Sequence, residues 1–483
     1  MGELLGSRTW ERSIFSDGWT ESAQTVDVLE PATGQVLAQV GLATAEDLDR
    51  AVARAAEAQR EWAAVSYKVR AKVLSRAAEL FLEHADEIGE WTGRETGAVR
   101  PMAYAQGETG ATECDEAAAL AGAPYGELLR SAQPRLSFSR QVPVGVVGVI
   151  APFNAPILLA LRSVAPALAL GNAVVLKPDP RTPVVGGVLF ARIFEEAGLP
   201  SGLLHVLTGG ADIGEALVRH PAVPVLAFTG STRGGQAIAA AAAPYLKRLH
   251  LELGGNSAMV VLDDADLERA VGAGARGSFI HQGQICMATG RHLVHESIAG
   301  DYVAALAEVA RSMPVGDPTQ AGVAIGPLID ASQRDRVHQI VTDSVSGGAT
   351  VEAGGTYDGL FYAPTVLSGV STSTPAYAQE VFGPVAPVMT FGSLEEAAAL
   401  ARDSDYGLSL GIITRDVMKG LALADLVPTG LVHINDQTIN DEAVVPFGGV
   451  GLSGNGARHG GQRANLEAFT DTQWVTVRAE PPA

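Results

Sequence analysis

Cys286 stands in the segment Gly283-Gln284-Ile285-Cys286-Met287-Ala288-Thr289-Gly290, between a helix-like stretch and the strand-like run Arg291 to Glu296. A thiolate is strongly nucleophilic near neutral pH, and glycines on both sides let backbone approach a bound molecule, so Cys286 is a candidate nucleophile. An isolated cysteine also serves as a small buried hydrophobe, and the segment alone leaves that reading open. Cys114 is read in the bland way, because Glu113, Asp115 and Glu116 beside it disfavour a thiolate.

Glu252 closes the run Leu249 to Glu252 and precedes Gly254-Gly255-Asn256, which places a carboxylate at a strand end beside a glycine turn. It is a candidate general base or a solvated acid. Asn154, in Pro152-Phe153-Asn154-Ala155-Pro156, carries an NH₂ group that could serve an oxyanion, or could make an Asx turn ahead of a helix. Phe228-Thr229-Gly230-Ser231 ends one strand and opens a helix whose amides could meet a pyrophosphate, and Lys177 ends another strand beside the same crevice. Gly449 to Gly454 match G-x-G-x-x-G, yet Pro446 and Phe447 precede them where a strand would be needed, so this is read as a loop and a decoy. No H-E-x-x-H, paired C-x-x-C or clustered Asp loop supports a metal centre, and no G-x-S-x-G elbow supports a serine hydrolase.

The elements that must position these groups alternate. From residue 143 a strand-like run, a helix, the strand ending at Lys177, a helix over 184–198, a strand over 203–208, a short helix over 211–220, the strand ending at Thr229 and an Ala-rich helix follow in turn. Such spacing predicts right-handed βαβ crossovers and a doubly wound parallel sheet, whose ligands bind beyond the carboxyl ends of the strands. After Leu253 the alternation resumes, with helices expected over 267–279 and 302–313. Residues 124–141 read as a polar hairpin. The uncharged run 144–161 reaches the lower limit for a membrane span, but Pro152, Asn154 and Pro156 break it into strand, loop and helix start.

A chain of 483 residues, 47% hydrophobic and 18% charged, has ample interior for two or three domains. Its 34 basic and 54 acidic residues give a net charge of −20, which repels phosphate backbones and anionic lipid. Nucleic acid and membrane are therefore not expected partners. Two cysteines make no disulfide framework, and with no basic-apolar leader the expectation is a cytoplasmic protein.

Seven segments, PFNAP, VVLKPDP, FTGST, LELGGN, GQIC, EVFGPV and PFGG, occur in this order across nearly the whole chain, and together they resemble the aldehyde dehydrogenase superfamily. The resemblance implies a dinucleotide-binding domain over 1–123 and 142–253, a catalytic domain over 254–445, an oligomerisation arm over 124–141 and 466–483, and a return segment over 446–465. It implies homodimers or homotetramers. It gives Cys286 the nucleophile's role, forming a thiohemiacetal and then a thioester, Glu252 the role of the base that activates hydrolytic water, and Asn154 that of oxyanion donor with the Cys286 N–H. Glu252 also argues against the CoA-acylating branch. The cofactor set implied is Lys177, Phe153, Phe228, Gly230, Ser231, Leu253, Glu380 and Phe382. Three residues beyond Lys177 many NAD-specific members have a Glu, whereas Pro180 and then Arg181 stand here. NAD is expected first, with NADP open because Arg181 could attract a 2′-phosphate.

The stretches 161–183 and 456–477 resemble a bacterial branch acting on aromatic aldehydes of the benzaldehyde, salicylaldehyde and vanillin type. On that reading Arg162 faces the substrate tunnel and Ile285 and Met287 flank the nucleophile, though all three could equally be packing residues. The alternatives are an aliphatic semialdehyde substrate, a thiol esterase using Cys286, or a non-redox cofactor-binding or structural protein on the same fold.

Overall fold

A computed structural model describes residues 3–481. Its first sheet has five parallel strands in the order Arg248–Glu252, Val225–Thr229, Val146–Ile150, Ala173–Lys177 and Leu204–Val206, extended by antiparallel Ser13–Phe15 and Trp19–Glu21. Every residue of Val146–Ile150 and Ala173–Lys177 is buried, because helices cover both faces, and for that reason these strands are unbroken apolar runs. The winding reverses between Val146–Ile150 and Val225–Thr229. Their carboxyl ends therefore border a crevice, from which Asn154 and Ser231 emerge.

The uncharged run 144–161 divides as expected: strand Val146–Ile150 gives way to a loop, and helix Pro156–Ala169 begins at a proline. Among the described residues no helix is long and apolar enough to cross a membrane. The helix expected over 184–198 begins as a π turn, Val184–Val188, before the α-helix Leu189–Glu196. The buried Glu95 carboxylate accepts the Val184 and Val185 N–H groups at 2.8 and 2.7 Å, capping this start.

The second sheet runs Thr350–Ala353, Thr365–Ser368, Val385–Phe391, Thr289–His295, Ser257–Val261, Ser409–Ile413 and Leu431–Ile434, parallel except for its first pair. Helix Leu267–Phe279 lies where it was expected, while the helix expected over 302–313 starts earlier and spans Glu296–Ser312. Its first six residues offer only Ile298 and Ala299 as apolar side chains, so the denser apolar periodicity showed only its later part.

Residues Gly126–Leu128 and Leu136–Pro143 form a hairpin, and Thr470–Val477 pairs antiparallel along the whole of the longer strand. This small sheet stands out from the rest, with Leu128 79% and Trp474 62% exposed.

Candidate active site

The approach to Cys286 is a strained turn. Helix Leu267–Phe279 ends, and His281, Gln282 and Gly283 follow with φ of 51°, 56° and 65°. Left-handed backbone costs about 1–2 kcal/mol for a non-glycine residue, so two in succession persist only under outside restraint. The restraints are visible. Burial pushes the His281 imidazole down to about 4, so it is neutral, and its Nε2 lies 2.7 Å from the Asn154 carbonyl oxygen. Gln282 Nε2 donates to the Gly97 carbonyl at 2.7 Å. Asn154 Nδ2 donates to the Gln284 carbonyl at 2.9 Å, and Thr438 Oγ1 donates to the Met287 carbonyl at 2.6 Å. Backbone on both sides of Cys286 is thus pinned, and Asn154 is brought to within two residues of it in the same turn.

Glycines let a second segment close in. A Cβ on Gly254 would collide with the Glu380 carboxylate, and one on Gly255 would collide with the Cys286 carbonyl. Glu380 Oε1 accepts the Gly255 N–H at 2.9 Å, and burial pushes this carboxyl up to about 7. Ile285, Met287, Leu408, Phe447, Leu431 and Ile439 make the apolar cluster around the nucleophile candidate. Burial raises the Cys286 thiol's pKa, and the Glu380 and Glu252 carboxyls raise it further.

Glu252 ends the edge strand of the first sheet and is 3% exposed. The loop after Phe447 closes over it, Gly454 bridging to Glu252 and the Ser453 carbonyl accepting the Leu253 N–H at 2.9 Å. The glycine pattern 449–454 follows no strand of a βαβ unit and is the expected loop apart from the two-residue strand Val450–Gly451, which pairs with Tyr406–Gly407; it covers this carboxylate. Gly449 faces Glu252, yet neither carboxylate oxygen has a hydrogen-bond partner. Burial raises its pKa well above the ordinary range, opposed by the charges of Arg458 and Arg162.

Arg162, expected on a substrate tunnel, is 1% exposed and turned into a closed ion cluster. Its Nε lies 3.3 Å from Glu113, its Nη2 lies 2.6 Å from Asp441, and its guanidinium sits 5.4 Å from the Phe447 ring centroid. Burial pushes Glu113 up to about 7 and Asp441 to about 6. A buried cation demands such counter-charges. Cys114, one residue from Glu113, is fully buried and its thiol is pushed up by burial, then by Glu113 and Asp115.

In the crevice of the first sheet, Ser231 Oγ caps helix Thr232–Ala242 by accepting the Gly234 N–H at 3.2 Å. The Phe228 ring packs on Gly230 and Gly234, and Leu253 packs where a Cβ of Gly235 would stand. Lys177 is buried, its pKa lowered by desolvation against the charges of Asp179 and Asp212. Phe153 and Phe382 meet edge to face at 5.9 Å, with Phe382 at φ 55°. Arg181 is not free to seek an anion. Its Nε and Nη2 grip Asp179 at 2.9 and 2.8 Å, its Nη1 lies 2.9 Å from Asp330, and it stacks 4.0 Å over the Phe153 ring.

Sequence reasoning missed His281, Gln282, Gln284, Asp441 and His459. Gln282 and His281 adjoin the Cys286 segment, and two bulky polar residues before a glycine are a weak signal of a strained turn. Asp441 and His459 reach the site from a distant loop and had no local signal.

Among the described residues no group of three or more His, Cys, Asp or Glu could hold a metal ion. The model of the aldehyde dehydrogenase family matches residues 19–475, and the chain belongs to that family. It is therefore an oxidoreductase enzyme by kinship as well as by fold. The chain is 60% identical over 478 residues to a vanillin dehydrogenase of Amycolatopsis sp. (strain ATCC 39116 / 75iv2), covering 99% of this chain and 98% of that protein. It is 48% identical over 483 residues to benzaldehyde dehydrogenase [NAD(+)] of Pseudomonas putida, covering 100% of this chain and 99% of the relative. The crystal structure of betaine aldehyde dehydrogenase from Staphylococcus aureus in complex with NAD+ superposes with a TM-score of 0.95 at 32% identity, over 100% of this chain and 97% of that one.

Proposed function

We propose that this enzyme oxidises an aromatic aldehyde to its carboxylic acid with NAD, with Cys286 as nucleophile, Asn154 as oxyanion donor and Glu252 as the hydrolytic base. The observation that carries this reading is the convergence, around one apolar cluster, of a pinned thiol, an oriented amide and a buried carboxylate whose oxygens have no side-chain partner. One N–H of the Asn154 amide is committed to the Gln284 carbonyl, which fixes the plane of the group. The other remains for substrate.

The Cys286 Sγ adds to the aldehyde carbon, and the carbonyl oxygen takes up negative charge beside Asn154 Nδ2 and the Cys286 N–H. Each such donor is worth roughly 3 kcal/mol of barrier. NAD, when bound, would supply a positive nicotinamide that favours the Cys286 thiolate and a hydride acceptor, so that the adduct on Cys286 becomes a thioester. Glu252 then takes a proton from water as the water oxygen bonds to the acyl carbon, and the C–S bond breaks to release the acid. A carboxylate with raised proton affinity suits this task.

The crevice fits a dinucleotide. The Ser231-capped helix start offers amides to a pyrophosphate, the small Gly230 and Gly234 allow close approach, and Lys177 holds an ammonium at the strand end. We assign Phe153, Phe228 and Leu253 to its apolar walls and Glu380 and Phe382 to the nicotinamide end. Arg181, paired with two carboxylates, offers nothing to a 2′-phosphate, which supports NAD over NADP. The Pseudomonas putida relative is named for NAD(+), and the Staphylococcus aureus enzyme was crystallised in complex with NAD+, which supports the same choice.

The aromatic substrate rests on the vanillin and benzaldehyde for which the relatives are named and on the wall formed by Ile285, Met287, Leu408 and Phe447. A dry wall desolvates a carboxylate badly, so benzaldehyde should exceed succinate semialdehyde in kcat/KM. The reverse order would assign an aliphatic semialdehyde instead. The division of the chain into cofactor, catalytic and arm portions, with exposed apolar residues on the small sheet meeting a second copy, is part of the same proposal. So is a reducing, cytoplasmic setting, which keeps the Cys286 thiol free.

A further inference from the structure

Glu252 must pass on the proton it receives, yet it is shut inside the protein. His459 Nε2 lies 4.0 Å from Glu252 Oε1, and both side chains are almost wholly buried. No other imidazole is paired with this carboxylate among the described residues. His459 Nδ1 has no hydrogen-bond partner, and for hydrogen bonding the buried His250 ring meets only the Ala468 backbone. An unpartnered buried polar atom costs about 1–3 kcal/mol, so both Glu252 carboxylate oxygens and His459 Nδ1 call for a reason.

Topology puts them in a line. His250 and Glu252 are two residues apart on strand Arg248–Glu252 and so project from the same face. Arg248 is the next residue on that face, and it borders an open cavity of about 720 Å³ beside helix Gln462–Phe469. His459 is held over this face by paired backbone hydrogen bonds with Phe447. The face thus leads from the buried base to solvent.

We propose that His459, with His250 behind it, is the route by which the proton that Glu252 takes from the hydrolytic water leaves the buried site toward the cavity at Arg248. This rests on the role given to Glu252 above. One ordered water spans the 4.0 Å gap and carries the proton of the Glu252 carboxyl to His459 Nε2 as the imidazole gives up the one on Nδ1 on the side of His250, and further ordered water completes the path outward. No bond other than O–H and N–H changes. His459 and His250 are positioning and relay residues acting through Glu252.

The charges around His459 set how the transfer runs. Arg162 on helix Pro156–Ala169, Arg458 on its own loop and His250 on the strand keep its pKa well below the ordinary value after burial has lowered it. Asp441 and Glu113 balance Arg162 nearby. His250 is pushed down to about 4 by burial and then by Arg248. Because both rings hold an added proton poorly and Glu252 holds one well, no imidazolium accumulates, and a proton enters His459 only as another leaves it.

The test is single-turnover breakdown of the Cys286 acyl-enzyme, in the full enzyme with NAD and, separately, in cofactor-free ester hydrolysis. The fraction of sites acylated counts the folded sites, so a poorly folded variant is corrected for. His459→Gln and His250→Gln should acylate normally and lose about tenfold or more in acyl breakdown, less than the 10²–10⁴-fold typical of losing a general base outright. Added imidazole should restore much of the His459→Gln loss. Unchanged breakdown per acylated site overturns the relay, as does a loss that imidazole does not touch. A wild-type enzyme that never forms an acyl-enzyme would instead overturn the reading of Cys286 and Glu252.

Discussion

His281 and Asn154 hold one another: the imidazole Nε2 lies 2.7 Å from the Asn154 carbonyl oxygen, while the Asn154 amide donates to Gln284, three residues beyond that histidine. The loop leaving the first sheet and the turn carrying Cys286 are thereby closed into one hydrogen-bonded ring. Asn154→Ala should lower kcat by about 10²–10³-fold, the usual loss for an oxyanion donor. His281→Ala leaves the amide in place but unbraced, and a smaller, roughly tenfold loss in kcat with little change in the KM for NAD is expected from steady-state kinetics.

Replacing the nucleophile should separate chemistry from binding. Cys286→Ala should abolish NADH formation while NAD affinity, measured by calorimetry, stays within about twofold. Glu252→Gln should still give one equivalent of NADH per site in a rapid burst, followed by turnover slower by about 10²-fold or more. Retained turnover in Cys286→Ala would remove the thiol from the mechanism.

The thiol sits in a burial and charge environment that favours its neutral form. A raised thiol pKa means that the reactive thiolate is scarce at neutral pH and grows as pH rises. Carbamidomethylation by iodoacetamide without NAD should therefore be slower at pH 7 than for free cysteine and climb steadily into the alkaline range. Bound NAD, which places positive charge nearby, should accelerate it at pH 7.

Cofactor choice should depend on the clasp around Arg181. Asp179→Ser removes one of the two carboxylates that occupy the guanidinium. The freed charge should raise kcat/KM for NADP relative to NAD by roughly tenfold, since charge-assisted bonds to phosphate are among the stronger polar contacts. No change in that ratio would place the adenosine 2′-hydroxyl away from Arg181.

The small sheet of 126–128, 136–143 and 470–477 exposes Leu128 and Trp474. A paired Leu128→Asp and Trp474→Arg variant should sediment as a smaller species than the wild type, with its circular dichroism retained.

Much of this was visible in the chain. Strands Val146–Ile150 and Ala173–Lys177 announced themselves because burial on both faces requires continuous apolar runs, and helix Leu267–Phe279 because its apolar positions recur at helical spacing. Strands Thr350–Ala353 and Thr365–Ser368 and helix Ala331–Ser346 were not legible, since the strands are short and the helix opens on a polar stretch, with its buried apolar positions Val337, Ile340 and Val341 coming only after it. At the site, Cys286, Glu252 and Asn154 each stand beside glycine or proline, which marks a special backbone. Arg162 looked like a tunnel residue because sequence shows a cation on an apolar helix but not the Glu113 and Asp441 that enclose it. His459 was silent because its meaning lies in a carboxylate over two hundred positions earlier.

The last described stretch of chain is also part of the first sheet's packing. Ala468 and Phe469 join the same core as Val146 and Leu176, the Phe469 carbonyl accepts from Asn172 at 3.0 Å, and the loop at 453–455 closes over Glu252. During synthesis the amino-terminal half therefore emerges with an uncovered flank and an open base until residues 447–469 are made and pack on it. Catalytic competence therefore waits on residues 447–469, and until they arrive the nascent amino-terminal half is a client for whatever shields exposed apolar surface in the cell.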